Sequence, residues 1–264
     1  MAERTVLRTV QATRYVTPLR EGGSLPAIIE ADDDGTYVLK FRGAGQGQRA
    51  LIAELVAGEI GRALGLPVPE IVLVELDPVL ARSEPDPEIQ ALIEASGGLN
   101  LALDYLPGSI GFDPLVAPPP EPDLAAAVVW FDAYVTNVDR TIKNPNLLLW
   151  HKNLWLIDHG ASLFFHHSWE SYLQRSRAPF PRIKDHVLLP TAASVAAIDD
   201  RLARLLSRDK LEAIVADIPE SWLGDERRFA GIGEHRDAYL TYLTSRLDAP
   251  RAFAEEAEHA REQL

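Results

Sequence analysis

The rhythm of apolar and polar positions changes once along the chain, from strand-like to helical. In the first third, short apolar runs alternate with turn-forming residues. Positions 27–30 and 37–41 are two such runs, separated by Asp32-Asp33-Asp34-Gly35, a hairpin signal. After the glycine-rich break Gly43-Ala44-Gly45-Gln46-Gly47, apolar Leu51, Leu55, Ile60 and Leu64 recur at helical spacing. They predict one long helix over 48–64, which Gly65 ends and which Pro67 and Pro69 keep from restarting. The β-branched run 71–76 and the run 99–103 predict two further strands, with a loop and a short helical turn over 85–94 between them. A proline-rich stretch, Pro114 to Pro122, then marks the change. Residues 124–136 are apolar nearly all round, the mark of a helix at the centre of a core. Runs 147–150 and 154–157, joined by His151-Lys152-Asn153, predict a hairpin. Residues 194–216, 236–247 and 250–263 read as amphipathic helices. Strands first and helices second predict an α+β chain in two parts, 1–103 and 104–264.

Composition narrows the chemistry. The chain has 264 residues and a net charge of −13, from 26 Lys+Arg against 39 Asp+Glu. Such acidity opposes nonspecific nucleic-acid binding, because the chain repels phosphate backbones. Cysteine is absent, which excludes disulfides, thiolate metal sites and a cysteine nucleophile. The N-terminus lacks the apolar core of a signal peptide, and the longest apolar stretch, 124–134, is too short to span a bilayer and contains Asp132. A soluble, cytoplasmic protein without membrane insertion is expected. Oligomeric state is not legible.

One segment carries chemistry. The buried helix delivers the chain into Asn137-Val138-Asp139-Arg140-Thr141-Ile142-Lys143-Asn144; the hairpin follows, and its exit is Ile157-Asp158-His159-Gly160. Phosphoryl transfer from ATP needs a carboxylate to orient an acceptor hydroxyl and accept its proton. It also needs hard oxygen ligands for the metal ions that bridge the phosphates. Asp139 and Asn144 on one loop and Asp158 at the hairpin exit can supply these oxygens. Protein kinases use Asp, four residues, Asn, then Asp-Phe-Gly; the first spacing matches here, and Asp158-His159-Gly160 stands where Asp-Phe-Gly would.

These two loops resemble the catalytic and metal loops of HipA-like kinases. They are also similar to those of type II phosphatidylinositol 4-kinases, with their Asn-x-Asp-Arg and Ile-Asp-x-Gly patterns, as is the following Leu163-Phe164-Phe165-His166-His167-Ser168-Trp169. The resemblance implies a bilobal protein kinase-like fold, with a small mixed α/β N-lobe and a mostly helical C-lobe. It implies Asp139 as the catalytic Asp and Asn144 and Asp158 as metal ligands, with ATP and Mg²⁺ as cofactors. One departure is Thr141, where many relatives carry a His beside the catalytic Asp. Arg140 either contacts phosphate or locks the loop by pairing with a carboxylate; the second role is favoured.

A kinase small lobe also requires a strand lysine steadied by a helix glutamate. Lys40 ends an apolar strand, and Glu54 lies on the next helix; Glu59 competes, but sits about 140° round the helix from Glu54, so both cannot face the lysine. Gly22, Gly23 and Ser24 occupy the place of the phosphate loop, where backbone N–H groups could approach phosphate oxygens. Asp104, Tyr105 and Leu106 look like the connector that offers backbone groups to adenine.

Other readings are weaker. The 43–47 glycine cluster lacks Gly-x-Gly-x-x-Gly spacing, because position 48 is Gln48; within the kinase reading it is a flexible hinge. His151, His159, His166 and His167 show no zinc spacing, and His166-His167 is expected at a surface or facing substrate. Ser162 lacks a hydrolase context. Trp150, Trp155 and Trp169 are expected to be packing residues. A protein Ser/Thr acceptor is the first expectation from the resemblance. A lipid headgroup or a catalytically inactive nucleotide-binding module are the alternatives.

Overall fold

A computed structural model describes residues 7–19, 25–45, 47–224 and 226–264. It divides into two compact units, Met1–Leu55 with Pro69–Pro107, and Val56–Val68 with Gly108–Leu264.

In the first unit, strands β1 (Arg8–Pro18), β2 (Ala27–Ala31), β3 (Thr36–Lys40), β4 (Ile71–Leu76) and β5 (Gly98–Asp104) form a closed barrel in the order β1-β2-β3-β5-β4. All neighbours are antiparallel except β1 and β4, whose parallel pairing closes the ring. Closure removes the exposed edges that would otherwise invite pairing with another chain. The interior is apolar, with Ile29, Leu39, Val72, Val74 and Ala102 all fully buried. The helix α1 (Gln48–Ala63) follows β3, its residues to Leu55 counted with this unit and those from Val56 with the second, and α2 (Pro87–Ala95) precedes β5. Expected strands β2, β3, β4 and β5 are present. Strand β1 was not expected, and the 85–94 segment is more helical than its sequence suggested. Asp86 caps α2 by accepting from the Glu88 N–H at 3.0 Å, and Pro87 opens it, a favoured start because proline lacks the N–H that would go unused. A 3-10 turn, Pro78–Ser83, precedes it. In the glycine cluster, whose Gln46 lies outside the described residues, the Ala44 N–H donates to the Phe41 carbonyl at 3.2 Å and the Gly47 N–H to the Ala44 carbonyl at 2.8 Å.

The second unit is built on α3 (Pro122–Val135), whose residues from Ala125 to Val135 are buried, as the all-round apolar pattern required. A small sheet holds β6 (Ile110–Gly111), β7 (Leu147–Trp150) and β8 (Asn153–Leu156) in that order, the last two forming the expected hairpin. Helices α4 (Tyr172–Ser176), α5 (Val195–Leu205), α6 (Arg208–Ala216), α7 (Ile232–Leu247) and α8 (Ala252–Glu262) complete it. The single helix expected over 194–216 is two, because Ser207 starts a new one by capping the Lys210 N–H at 3.3 Å. Helix α3 packs with α5 and α8, where Trp130 stacks on Tyr134 at 5.4 Å and meets the edge of Phe253.

The end of α3 decides where the loop after it begins. Thr136 takes the left-handed conformation at φ 55° and stops the helix. The last four carbonyls of a helix lack intrahelical partners, and here each has another. The Asp132 carbonyl accepts from Asn137 N–H at 2.9 Å and the Val135 carbonyl from Leu163 N–H at 2.7 Å. The Ala133 and Tyr134 carbonyls accept from the buried Arg246 guanidinium, each at 2.9 Å. The chain just past the helix and two distant residues, Leu163 and Arg246, therefore fix the exit of α3.

Candidate active site

The loop after α3 folds back on itself. Thr141 and Asn144 exchange backbone hydrogen bonds at 3.1 and 3.2 Å, a four-residue reversal with exposed Ile142 and Lys143 at its tip. The reversal returns the Asn144 side chain to Asp139, where Nδ2 donates to Oδ2 at 2.7 Å. The five-residue spacing is thus the spacing of a tight turn that brings the two groups into contact. Asp139 is half-buried and Asn144 exposed. The Asp139 N–H donates to Asn137 Oδ1 at 3.1 Å, fixing the carboxylate's backbone.

Beneath the loop lies a buried polar cluster centred on Asp132, which is fully buried. Its carboxylate accepts from Arg140 Nε at 2.6 Å, from Asn137 Nδ2 at 2.9 Å and from His186 Nε2 at 2.9 Å. His186 Nδ1 accepts from the Leu188 N–H at 3.1 Å, so the proton sits on Nε2, facing Asp132. Burial alone would raise the Asp132 carboxyl; the Arg140 charge and the His186 hydrogen bond outweigh it and hold the group well below the usual carboxylate range.

Arg140 also reaches the second loop. Its Nη1 donates to the carbonyls of Asn146 and, at 3.2 Å, Ile157, and Nη2 meets His159 Nδ1 at 3.2 Å. Ile157 and His159 flank Asp158, so one guanidinium anchored on Asp132 grips both sides of that residue as well as the loop bearing Asp139. Of the two roles expected for Arg140, the structure has the lock, with the residue 1% exposed. Asp158 is half-buried and left-handed at φ 55°, a conformation that costs an L-residue about 1 kcal/mol and that clusters at functional positions.

In the first unit, Lys40 Nζ lies 3.6 Å from Glu54 Oε2, both side chains being largely buried. The alternation of β3 explains the placement: Tyr37 and Leu39 point into the barrel, so Lys40 is on the opposite face, where an ammonium can meet the Glu54 carboxylate. Glu59 instead pairs with Arg62 at 3.3 Å. The connector is partly committed: the Asp104 N–H donates to the Glu70 carbonyl at 2.8 Å and the Tyr105 N–H to that of Thr36 at 3.0 Å. An adenine at this segment would have to use its other backbone groups, including those of Leu106. Gly22, Gly23 and Ser24, expected to cradle phosphate, lie outside the described residues.

Two side groups differ from expectation. His166 is fully buried, with Nδ1 3.1 Å from the Tyr239 hydroxyl, so it belongs to the core and not to a surface. Asn146, which the sequence did not single out, donates from Nδ2 to the same Asp139 oxygen at 3.4 Å, while its carbonyl accepts from the Ile157 N–H at 3.1 Å. A second amide two residues past Asn144, inside Asn144-Pro145-Asn146, was its only sequence signal. Among the described residues no cluster of three or more His, Cys, Asp or Glu side chains forms a metal site, and no helix is long and apolar enough to cross a membrane.

A family model described as HipA-like kinase matches residues 13–248. No curated protein sequence matches the chain. Among solved structures it is similar to the proinflammatory kinase CtkA of Helicobacter pylori, at 13% identity over 97% of this chain and 99% of that one, with a TM-score of 0.54. It is also similar to the Golgi casein kinase, at 11% identity over 97% of this chain and 74% of that one, with a TM-score of 0.51. At such identities the likenesses show a shared mixed α/β, kinase-like fold.

Proposed function

The chain belongs to the HipA-like kinase family, and from that premise we propose that it transfers the γ-phosphate of ATP to a serine or threonine hydroxyl of a protein. One observation supports this most: Asp139 and Asn144 are in contact at 2.7 Å, and the Arg140 guanidinium ties their loop to both neighbours of Asp158. In this reading the barrel unit is the nucleotide-binding lobe and the helical unit the catalytic lobe of a bilobal kinase.

The residues suit the roles. Asp139 accepts the acceptor hydroxyl's proton and aims its oxygen at the γ-phosphorus. An amide oxygen from Asn144 and a carboxylate from Asp158 are the hard donors that Mg²⁺ takes, and Mg²⁺ bound there supplies charge neutralisation for the phosphates. Lys40, steadied by Glu54, carries the positive charge set against the phosphates. Gly22, Gly23 and Ser24 remain the proposed phosphate cradle, and Asp104, Tyr105 and Leu106 the proposed adenine connector.

The test is incubation with γ-labelled ATP and cell lysate. Label should enter protein with the wild type and be lost in Asp139→Ala and Asp158→Ala. Mg-ATP should still raise the melting temperature of Asp139→Ala but not of Asp158→Ala. Undiminished transfer in both variants would refute the assignment. Label in the lipid extract would move the acceptor to a headgroup, and Mg-ATP stabilisation without transfer would make the chain a nucleotide-binding module.

A further inference from the structure

Asn146 belongs to no part of the reading above, yet it is joined to every part of the loop system. Its backbone is left-handed at φ 49°, and its carbonyl accepts from Arg140 Nη1 and from the Ile157 N–H. Its side chain turns the other way, with Nδ2 3.4 Å from Asp139 Oδ2, the oxygen that also receives Asn144 Nδ2 at 2.7 Å. A carboxylate only accepts hydrogen bonds, so both amides must present N–H₂ to it.

We propose that Asn146 is a positioning residue that, with Asn144, holds Oδ2 of Asp139 and leaves Oδ1 to take the proton of the acceptor hydroxyl. The inference rests on the phosphotransferase reading. In the step it serves, the acceptor oxygen bonds to the γ-phosphorus, the bond from that phosphorus to the β–γ bridging oxygen breaks, ADP leaves, and the hydroxyl proton passes to Oδ1. The two amides occupy Oδ2, so they choose which oxygen faces the acceptor and fix its direction. Asn144 cannot do this alone, because it is exposed and its amide oxygen is also assigned to a cation. Asn146 is half-buried and has its backbone clamped from two sides, so its amide holds Asp139 independently of cation binding.

A purely conformational role makes a different prediction, and one substitution separates the two. Glycine adopts φ 49° without strain and keeps the carbonyl, so Asn146→Gly removes only the amide. Turnover should fall about tenfold, the effect of one hydrogen bond lost in the transition state, with the melting temperature and the Mg-ATP affinity kept near wild type. Asn146→Asp, which tolerates the same backbone but sets a carboxylate against Asp139, should lose more. Wild-type turnover in Asn146→Gly would show that the residue serves only the backbone and would overturn the proposal. A fall in Mg-ATP affinity matching the fall in turnover would make Asn146 a metal ligand and overturn it equally. A wild-type chain that turns over no ATP would sink the phosphotransferase reading first, and this inference with it.

Discussion

Replacing Asp132 by Asn keeps the shape of the buried cluster and removes its charge. The carboxylate is fully buried and accepts three hydrogen bonds, of 2.6, 2.9 and 2.9 Å, one of them from a buried guanidinium. An amide has one accepting oxygen, so its N–H₂ must face at least one of these donors. Arg140 is also left without its countercharge. Breaking a buried pair from one side costs about 3–5 kcal/mol, a large share of the roughly 5–15 kcal/mol that holds a domain folded. Urea unfolding of Asp132→Asn should show that loss, and the melting temperature should fall by roughly 6–20 °C, at about 2–4 °C per kcal/mol. Turnover should fall too, because Arg140 carries the anchor to both loops. Removing both charges with Asp132→Leu/Arg140→Met should cost less than the sum of the single changes. Acid offers a second check. The folded pKa lies below the unfolded value of about 3.9. The carboxylate therefore adds stability above that pH, which is lost as pH falls from there towards the folded pKa. Wild type should weaken across that acid window, and Asp132→Asn should show a shallower slope there. A loss under about 1 kcal/mol in the single variant, with an unchanged acid slope, would refute the reasoning.

Three other perturbations test separate parts of the structure. Arg246→Met removes the donors that hold the Ala133 and Tyr134 carbonyls, and should cost about 3 kcal/mol in urea unfolding; retained stability would show that α3 ends without it. Lys40→Met should lower kcat/KM for ATP by about 100-fold, measured at limiting ATP, and an unchanged value would remove Lys40 from the site. Lys152 sits at φ 66° in the β7–β8 turn, so Lys152→Gly should stabilise by about 0.5–1 kcal/mol in thermal melts, with destabilisation as the contrary result.

Two of the expected side-chain contacts were legible because their logic is local. The Asp139 to Asn144 spacing fits one turn, and the Lys40 to Glu54 pair follows from strand alternation and helix phase. Strand β1 was not legible because its register shifts between Ala12 and Arg14 and again between Tyr15 and Thr17, so buried Val10, Ala12 and Tyr15 do not keep a period of two. Its parallel partner β4 lies some sixty residues away, beyond any local signal. Asn100 lies inside the apolar strand β5; it is fully buried because its amide serves the Ser96 and Gly98 carbonyls and accepts from the Arg42 N–H at 2.7 Å. His166 was misplaced because its neighbour in the pair, His167, is only half-buried, and nothing in the pair itself shows which ring turns inward to Tyr239. Asn146 was missed because it and Asn144, two residues apart, look alike in the sequence, and only geometry shows that both serve one oxygen.

The reversal from Thr141 to Asn144 has a bearing on how this sequence can change length. Its ends bond each other, so a single inserted residue would carry the Asn144 amide away from its carboxylate. The β7–β8 ribbon obeys no such limit: it can grow by one residue on each strand while Leu147 stays opposite Leu156 at its root. Insertions and deletions among active relatives should therefore gather at the ribbon's tip and spare the reversal.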